Sequence, residues 1–561
     1  MSRYITRSAV ALVAAAGLAA LGACNQLDVT NPNNPDAERA LATPSDAENM
    51  MASYYKRWHD GLYRNLGNFE GMANIMSFQN YSDLANNCQN ARFPFSGAIN
   101  LNTIGNVCSG EQSRVYQVEQ EVTRVASTLL HRMDEGLTLG TPGRDARYRA
   151  MGEFLRGVSL GYVALFYDSA AVISAQTDAQ DPGELSYYTV VMDSVYAALD
   201  RAITAANTPG FTALDATWIP TPASMSGADF VRLIRSYRAR LRANVARTPA
   251  ERAAANWDAI IADAQNGITA NHINITNATN GPFRTWVGQY DPPAGLWHQM
   301  PPWIIGMGDV SGTYAAWIAT PVGARGAGNS AFFMVTPDLR FPQGNNRAEQ
   351  QADFAMTSCE KAGQVCKRYF ANRIGNDQFN SLGWGWSNYD FVRFHSWARA
   401  GDAGSSQTGG IIFMTKAEMD MLEAEGQIRK GNFSAAAALI NKTRVPNGLP
   451  ALVDMNNTSP VPGGANCVPK IPVSPYTVIA CGNMFEAMKW EKRIETAYTH
   501  FAAWFLDSRG WGDLAKDTPL FWAVPYQDLL ARGSLPNEVY SAGAGVGTAP
   551  GSAAAQSTYG W

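Results

Sequence analysis

The sequence is poor in charge, in clustered histidine and in long apolar runs, and each shortage excludes something. Only 16% of the 561 residues are charged, the formal net charge is −4, and no block of basic residues occurs anywhere. Nucleic acid is therefore not an expected partner, because its phosphates are held by grouped Lys and Arg. The six histidines (His59, His131, His272, His298, His395, His500) are scattered singly, and no cysteine pair has the short Cys-x₂-Cys spacing, so neither a metal site nor a cofactor is expected. Beyond the leader, no apolar run approaches the ~18 residues that a spanning helix needs. The body of the chain reads as soluble. What it has in quantity is aromatic side chains, at 11%, and enough apolar residues for a large core or several subdomains.

The first 23 residues read as an export signal. Arg3 and Arg7 precede an apolar run from Ala9 to Ala23, and the run ends in Leu21-Gly22-Ala23-Cys24. A cysteine directly after Leu-Gly-Ala is the layout of a lipobox, in which the thiol is lipidated and Cys24 becomes the first mature residue. Two acyl chains suffice for stable anchoring at ~0.8 kcal/mol per buried CH₂, so the domain would be tethered to a membrane rather than span it. Without Arg3 and Arg7 the mature chain carries a net −6.

Seven cysteines, less Cys24, leave six in an oxidising compartment. They fall as sequential neighbours, Cys88 with Cys108, Cys359 with Cys366, and Cys467 with Cys481, each pair enclosing a Gly-, Asn- or Pro-rich stretch. Three local disulfides are expected, each worth roughly 3 kcal/mol at most for a fifteen-residue loop.

Helical periodicity comes in blocks. Ser45, with Glu48 three residues on, is the expected cap of a first helix carrying Met51, Tyr54, Tyr55 and Trp58. Asn80 to Ser109 reads as a long Asn-rich loop. Helices follow at Glu111–Met133, Ala146–Asp168, Tyr187–Ala205, Ala228–Asn244 and Glu251–Asn266. Gly157-Val158-Ser159-Leu160-Gly161 matches the Gly-x-Ser-x-Gly of a nucleophile elbow, yet it lies in mid-helix, where that motif needs a strand and a sharp turn. Close helix packing at the two glycines is the preferred reading. Arg232, Arg235, Arg238, Arg240 and Arg242 read as an ion-paired or solvated helix face. Periodicity fades from Asn271 to Gln407. It returns at Phe413 as a helix, the Gly431-Asn432 turn, and a second helix capped by Ser434, which together make a tetratricopeptide-like hairpin. Phe485–Leu506 reads as one further helix, and Ser541–Gln556 as a mobile tail.

The irregular middle and the early loop supply ring faces and amides, the groups that bracket sugars. Trp286, Tyr290, Trp297 and Trp303 are the expected stacking platform, with Tyr81, Asn86 and Asn87 contributing from the early loop. The competing reading makes these rings core, since Trp is highly buried on average.

Four stretches resemble the SusD/RagB family of outer-membrane nutrient-binding lipoproteins. They are the lipobox running into Leu27-Asp28-Val29 and Asn31-Pro32-Asn33; Arg149-Ala150-Met151-Gly152-Glu153-Phe154-Leu155-Arg156-Gly157; the hairpin from Met414 to Pro450; and Glu491-Lys492-Arg493-Ile494-Glu495-Thr496-Ala497-Tyr498. Thr499-His500 stands where the family usually has Glu-Gly, which marks a divergent member. The resemblance implies a mainly α fold, a tetratricopeptide-like scaffold with a large irregular ligand-binding region. Its parts would be a signal peptide over 1–23, an N-terminal helical region over 24–270, an aromatic-rich ligand-binding region over 271–407 and a C-terminal helical region over 408–561. It also implies a non-enzymatic protein on the outer face of the outer membrane. There it would capture oligosaccharides, or peptides, for a SusC-like TonB-dependent transporter. Two rivals are a surface glycoside hydrolase, which needs two carboxylates in a cleft, and a periplasmic solute-binding lipoprotein of an ABC transporter, which would show two α/β lobes.

Overall fold

A computed structural model of the chain describes residues 43–63, 69–80, 102, 109–177, 181–276, 300–325, 332–353, 368–372, 387–393, 409–499, 501–533 and 557–561. The chain falls into two compact units, Met1–Ala47 and Glu48–Trp561. The described elements are helices with a few short strands between them. In chain order they are α1 (Pro44–Tyr63), α2 (Phe69–Met76), α3 (Ser109–Asp134), α4 (Pro142–Phe166), β1 (Ser169–Ala171), β2 (Leu185–Tyr187), α5 (Tyr188–Ala206), α6 (Gly227–Asn244), α7 (Pro249–Ala254), α8 (Trp257–Gln265) and β3 (His272–Thr276). The irregular middle contains α9 (Pro302–Ile305), α10 (Thr313–Ala319), α11 (Arg347–Asp353), β4 (Phe370–Asn372) and β5 (Tyr389–Phe391). The last part holds β6 (Gly409–Met414), α12 (Lys416–Arg429), α13 (Phe433–Arg444), β7 (Lys470–Val473), β8 (Val478–Cys481), α14 (Met484–Thr496), α15 (Ala503–Trp511) and α16 (Tyr526–Ala531). No described helix is long and apolar enough to cross a membrane.

α4 is the central helix, and its sequence explains why. Thr141 caps it by accepting from Arg144 N, Pro142 occupies the first turn, and nearly every side chain along it is buried. Gly157 and Gly161 create the room: a Cβ there would come within 2.6 Å of Leu199 and 2.9 Å of Leu241, so α5 and α6 lie directly against the backbone. Ser159 is fully buried in the same turn, in accord with packing and not with a nucleophile elbow. Trp58 of α1 fills the next layer, edge-on to Phe154 and Tyr237.

The arginines of α6 are ion-paired, as the sequence suggests. Arg232 meets Asp229, while Arg235, Arg238 and Arg242 share Asp263 on α8. Arg240 goes further: it is fully buried and makes a two-pronged contact with Glu418 of α12, at 2.8 and 2.7 Å. The two halves of the helical scaffold are thereby joined through a desolvated pair. A second buried set lies around α14, where Arg340 binds Asp338, Glu491 and Glu495.

Several boundaries differ from the sequence reading. Thr43 caps α1, accepting from Asp46 N at 3.1 Å, in place of Ser45; Glu48 instead pairs with Arg144 and Arg147. The expected Glu251–Asn266 helix is two helices, because Asn256 leaves helical geometry and caps α8 through Ala259 N. Phe413 lies within strand β6, which ends at Met414, and the helix begins after Thr415, which accepts from Glu418 N. Asn432, with no side-chain cap bond, precedes α13, so Ser434 lies inside it; Gly431 turns the hairpin at φ 77°. The expected Phe485–Leu506 helix breaks after Thr496. Of the three expected disulfides, Cys467–Cys481 is present and joins the ends of the β7–β8 hairpin. Cys88, Cys108, Cys359 and Cys366 lie outside the described residues, as do Cys24 and the Ser541–Gln556 tail. The final residues beyond that tail fold back: Tyr559 and Trp561 are buried, and the Tyr559 hydroxyl donates to Glu486.

Candidate functional site

The residues that join the early loop to the aromatic middle meet at the turn after α2. Gln79 N and Asn80 N both donate to the Asn74 carbonyl, and Phe78 just before them takes φ 61°. That left-handed conformation is rare for a bulky residue. It throws the Phe78 ring onto Trp303, stacked at 5.1 Å and 21°. Tyr498 stands opposite at φ 53°, and its hydroxyl donates to the Gln79 carbonyl at 3.0 Å and lies 3.1 Å from Asn80 Oδ1. This reach is why the helix after Thr496 cannot continue: the Tyr498 backbone turns out of helical geometry to deliver its ring to the turn. Two residues in left-handed backbone, each costing of order 1–3 kcal/mol, thus serve one turn although some four hundred residues of chain separate them.

The turn also holds hydrogen-bonding capacity that the described protein does not use. Asn74, Gln79 and Asn80 are 0–1% exposed. Both side-chain polar atoms of Asn74 and of Gln79, and Asn80 Nδ2, have no hydrogen-bond partner among the described residues. Buried polar groups are normally paired, so three such amides in one turn stand out.

Trp303 corrects the expected platform. One face lies on Phe78, the Arg325 guanidinium sits over its ring at 4.5 Å, and Trp561 packs edge-on at 5.2 Å. It is fully buried and has no free face for a sugar. Arg325 also covers Trp317 at 4.4 Å, and Trp317 stacks on Tyr314. The Arg325 Nε and Nη2 donate to the carbonyls of Thr320 and Ile318, and burial lowers its pKa to about 10, which leaves it charged at neutral pH. Trp303, Trp317 and Arg325 therefore form a closed stack that anchors the aromatic middle. The apolar run Trp303-Ile304-Ile305 after two prolines was the sequence signal for core.

Trp286, Tyr290, Trp297, Tyr81, Asn86 and Asn87 lie outside the described residues. What the structure brings together is the residues that flank them: Asn80 borders the early loop, Met300 borders the tryptophan-rich segment, and Phe78 on Trp303 joins the two borders. Asn74, Gln79, Trp317 and Arg325 were not singled out from sequence; an amide in a helix end carries no periodic signal.

No family model and no curated protein matches the sequence. Solved structures do. A SusD superfamily protein from Parabacteroides distasonis is 12% identical, with a TM-score of 0.52 over 88% of this chain and 98% of its own. A SusD homolog from the same organism is 11% identical, with a TM-score of 0.52 over 87% and 93%. A SusD-like carbohydrate binding protein from Bacteroides fragilis is 12% identical, with a TM-score of 0.51 over 86% and 89%.

Proposed function

We propose that this chain, which has the mainly helical SusD-like fold, is a non-enzymatic outer-membrane lipoprotein that binds nutrient oligosaccharides, or peptides, at the cell exterior. It passes them to a SusC-like TonB-dependent transporter. Cys24 carries the lipid, and the ligand-bearing stretch is 271–407. Trp286, Tyr290 and Trp297 supply ring faces, and Tyr81, Asn86 and Asn87 supply hydrogen bonds from the early loop. The observation that carries this reading is the Phe78–Trp303 contact beside a turn in which the Asn74 and Gln79 side chains bond to none of the described residues. Sugars need that pairing of apolar faces with amide groups. The carbohydrate-binding Bacteroides fragilis structure of the same fold supports the ligand class.

Glycan-array binding followed by titration tests it. Trp286→Ala and Trp297→Ala should each weaken binding of the best glycan by at least about ten-fold, the loss of one stacking contact and its buried area. Unchanged affinity in both variants removes the platform. New reducing ends after incubation with the ligand would instead make the protein a hydrolase. Cys24→Ser should leave the protein in the soluble fraction, and co-purification from membranes should recover the transporter with the wild type.

A further inference from the structure

Beside the Gly431 turn, in a core cluster separate from that of Trp303, a cleft of about 300 Å³ opens between Pro249, Ile428, Phe485 and Trp511, with Arg429 and Asn457 as its polar lining. The Phe485 and Trp511 rings meet edge to face at 6.5 Å and 77°, forming an apolar corner. Its size is at the lower end of small-molecule sites, which span ~300–1,000 Å³, and suits one ring with a substituent.

The side-chain polar groups at this cleft without a partner among the described residues are donors. Arg429 gives Nε and Nη2 to Glu425 at 3.1 and 2.8 Å, and its Nη1 has no hydrogen-bond partner among the described residues. Asn457 accepts from Phe485 N through Oδ1, and its Nδ2 has no partner among them. Trp511 Nε1 is buried without one. A ligand must therefore bring acceptors. The charges point the same way. Arg252 and Arg429 share Glu425, Arg252 and Lys492 share Asp507, and Lys489 and Arg493 share Asp513, with Glu486 also on Lys489. These are two networks: Lys489 and Arg493 balance Asp513 and Glu486, whereas Arg252, Arg429 and Lys492 exceed Glu425 and Asp507 by one cation. Four of the cations surround the Trp511 ring, Arg493 nearest at 5.1 Å and Arg252 farthest at 5.8 Å.

We propose that the cleft binds a six-membered ring bearing a carboxylate, with the ring in the Phe485–Trp511 corner and the carboxylate on Arg429 Nη1 and Asn457 Nδ2. The surplus positive charge favours an anion, and the apolar corner favours a ring over a bare ion. The site lies outside the 271–407 stretch, and the proposal does not rest on the function proposed above.

Calorimetry and tryptophan fluorescence on the mature protein test it with four probes. Phenylacetate and glucuronate are the ring carboxylates; phenylacetamide and glucose are their neutral counterparts. At least one carboxylate should saturate a single site, with its neutral counterpart weaker by about ten-fold or more, as expected for loss of a charge-assisted hydrogen bond. Which carboxylate does so tells an aromatic acid from an acidic sugar. Arg429→Gln should weaken that probe by a similar factor and Asn457→Ala by less. Circular dichroism checks both folds, and Asn457→Ala, far from the buried pairs, keeps the test open if Arg429→Gln unfolds. The proposal falls if neither carboxylate saturates, if the neutral probes bind equally, or if every folded variant binds as the wild type does.

Discussion

Two buried polar regions of this molecule handle desolvation in opposite ways. At the α6–α12 contact, Arg240 and Glu418 are both buried and make two short charge-assisted bonds, with Tyr162 Oη accepting a third from Arg240. At the turn after α2, Asn74 and Gln79 are just as buried, and their side-chain atoms bond to none of the described residues. The first region completes its bonding inside the scaffold. The second keeps strained backbone and unused amides at one place, the pattern expected where structure is held for recognition and not for stability.

The sharpest way to break this contrast is at the scaffold. Arg240→Ala strands Glu418 without its partner and should cost ~3–5 kcal/mol, read as a shift in urea midpoint, with Glu418→Leu in the same chain recovering much of it. Next, Cys481→Ser opens a link between residues 14 apart and should cost roughly 3 kcal/mol in the same melt.

A smaller effect probes a fully buried carboxyl. Glu119 is fully buried, and burial raises its pKa well above 4.5, only partly offset by the nearby Ser159 hydroxyl and the Arg57 charge. The folded value lies above the unfolded one, so Glu119 imposes no penalty below pH ~4.5 and a growing one as pH rises toward the folded value. Glu119→Gln should therefore raise the melting midpoint at pH 8 and change it little at pH 4; the reverse ordering would show that the carboxyl is ionised and paired. The smallest effect sharpens the comparison from the other side. Asn74→Leu removes an amide that bonds to no described residue and should change stability by under ~1 kcal/mol, in either direction, while weakening glycan binding in titration. A large loss of stability with unchanged binding would make the turn structural.

The scaffold was readable where local rules sufficed. α4 shows in its apolar periodicity, and Gly157 and Gly161 mark where neighbours press against it. The α12–α13 hairpin shows in its turn, and Cys467 with Cys481 in their spacing. Errors came where a distant partner decided the outcome. Nothing near Thr496 in sequence signals that Tyr498 must turn toward Gln79, more than four hundred residues away, nor that Trp561 comes back to pack on Trp303. Trp303 shows the same limit: composition marks a tryptophan as a ring, and only its neighbours show whether a face is left over.

The pairing of β3 with β6 has a further bearing on how such a protein diversifies. His272–Thr276 and Gly409–Met414 run antiparallel, which sets Thr276 opposite Gly409 across a single ladder. Departure and return points that share a rung impose no length on what connects them. The stretch between them can change in length away from its own anchors on the scaffold, such as Trp303 on Phe78 and Arg340 on Glu491, without shifting the register of that ladder.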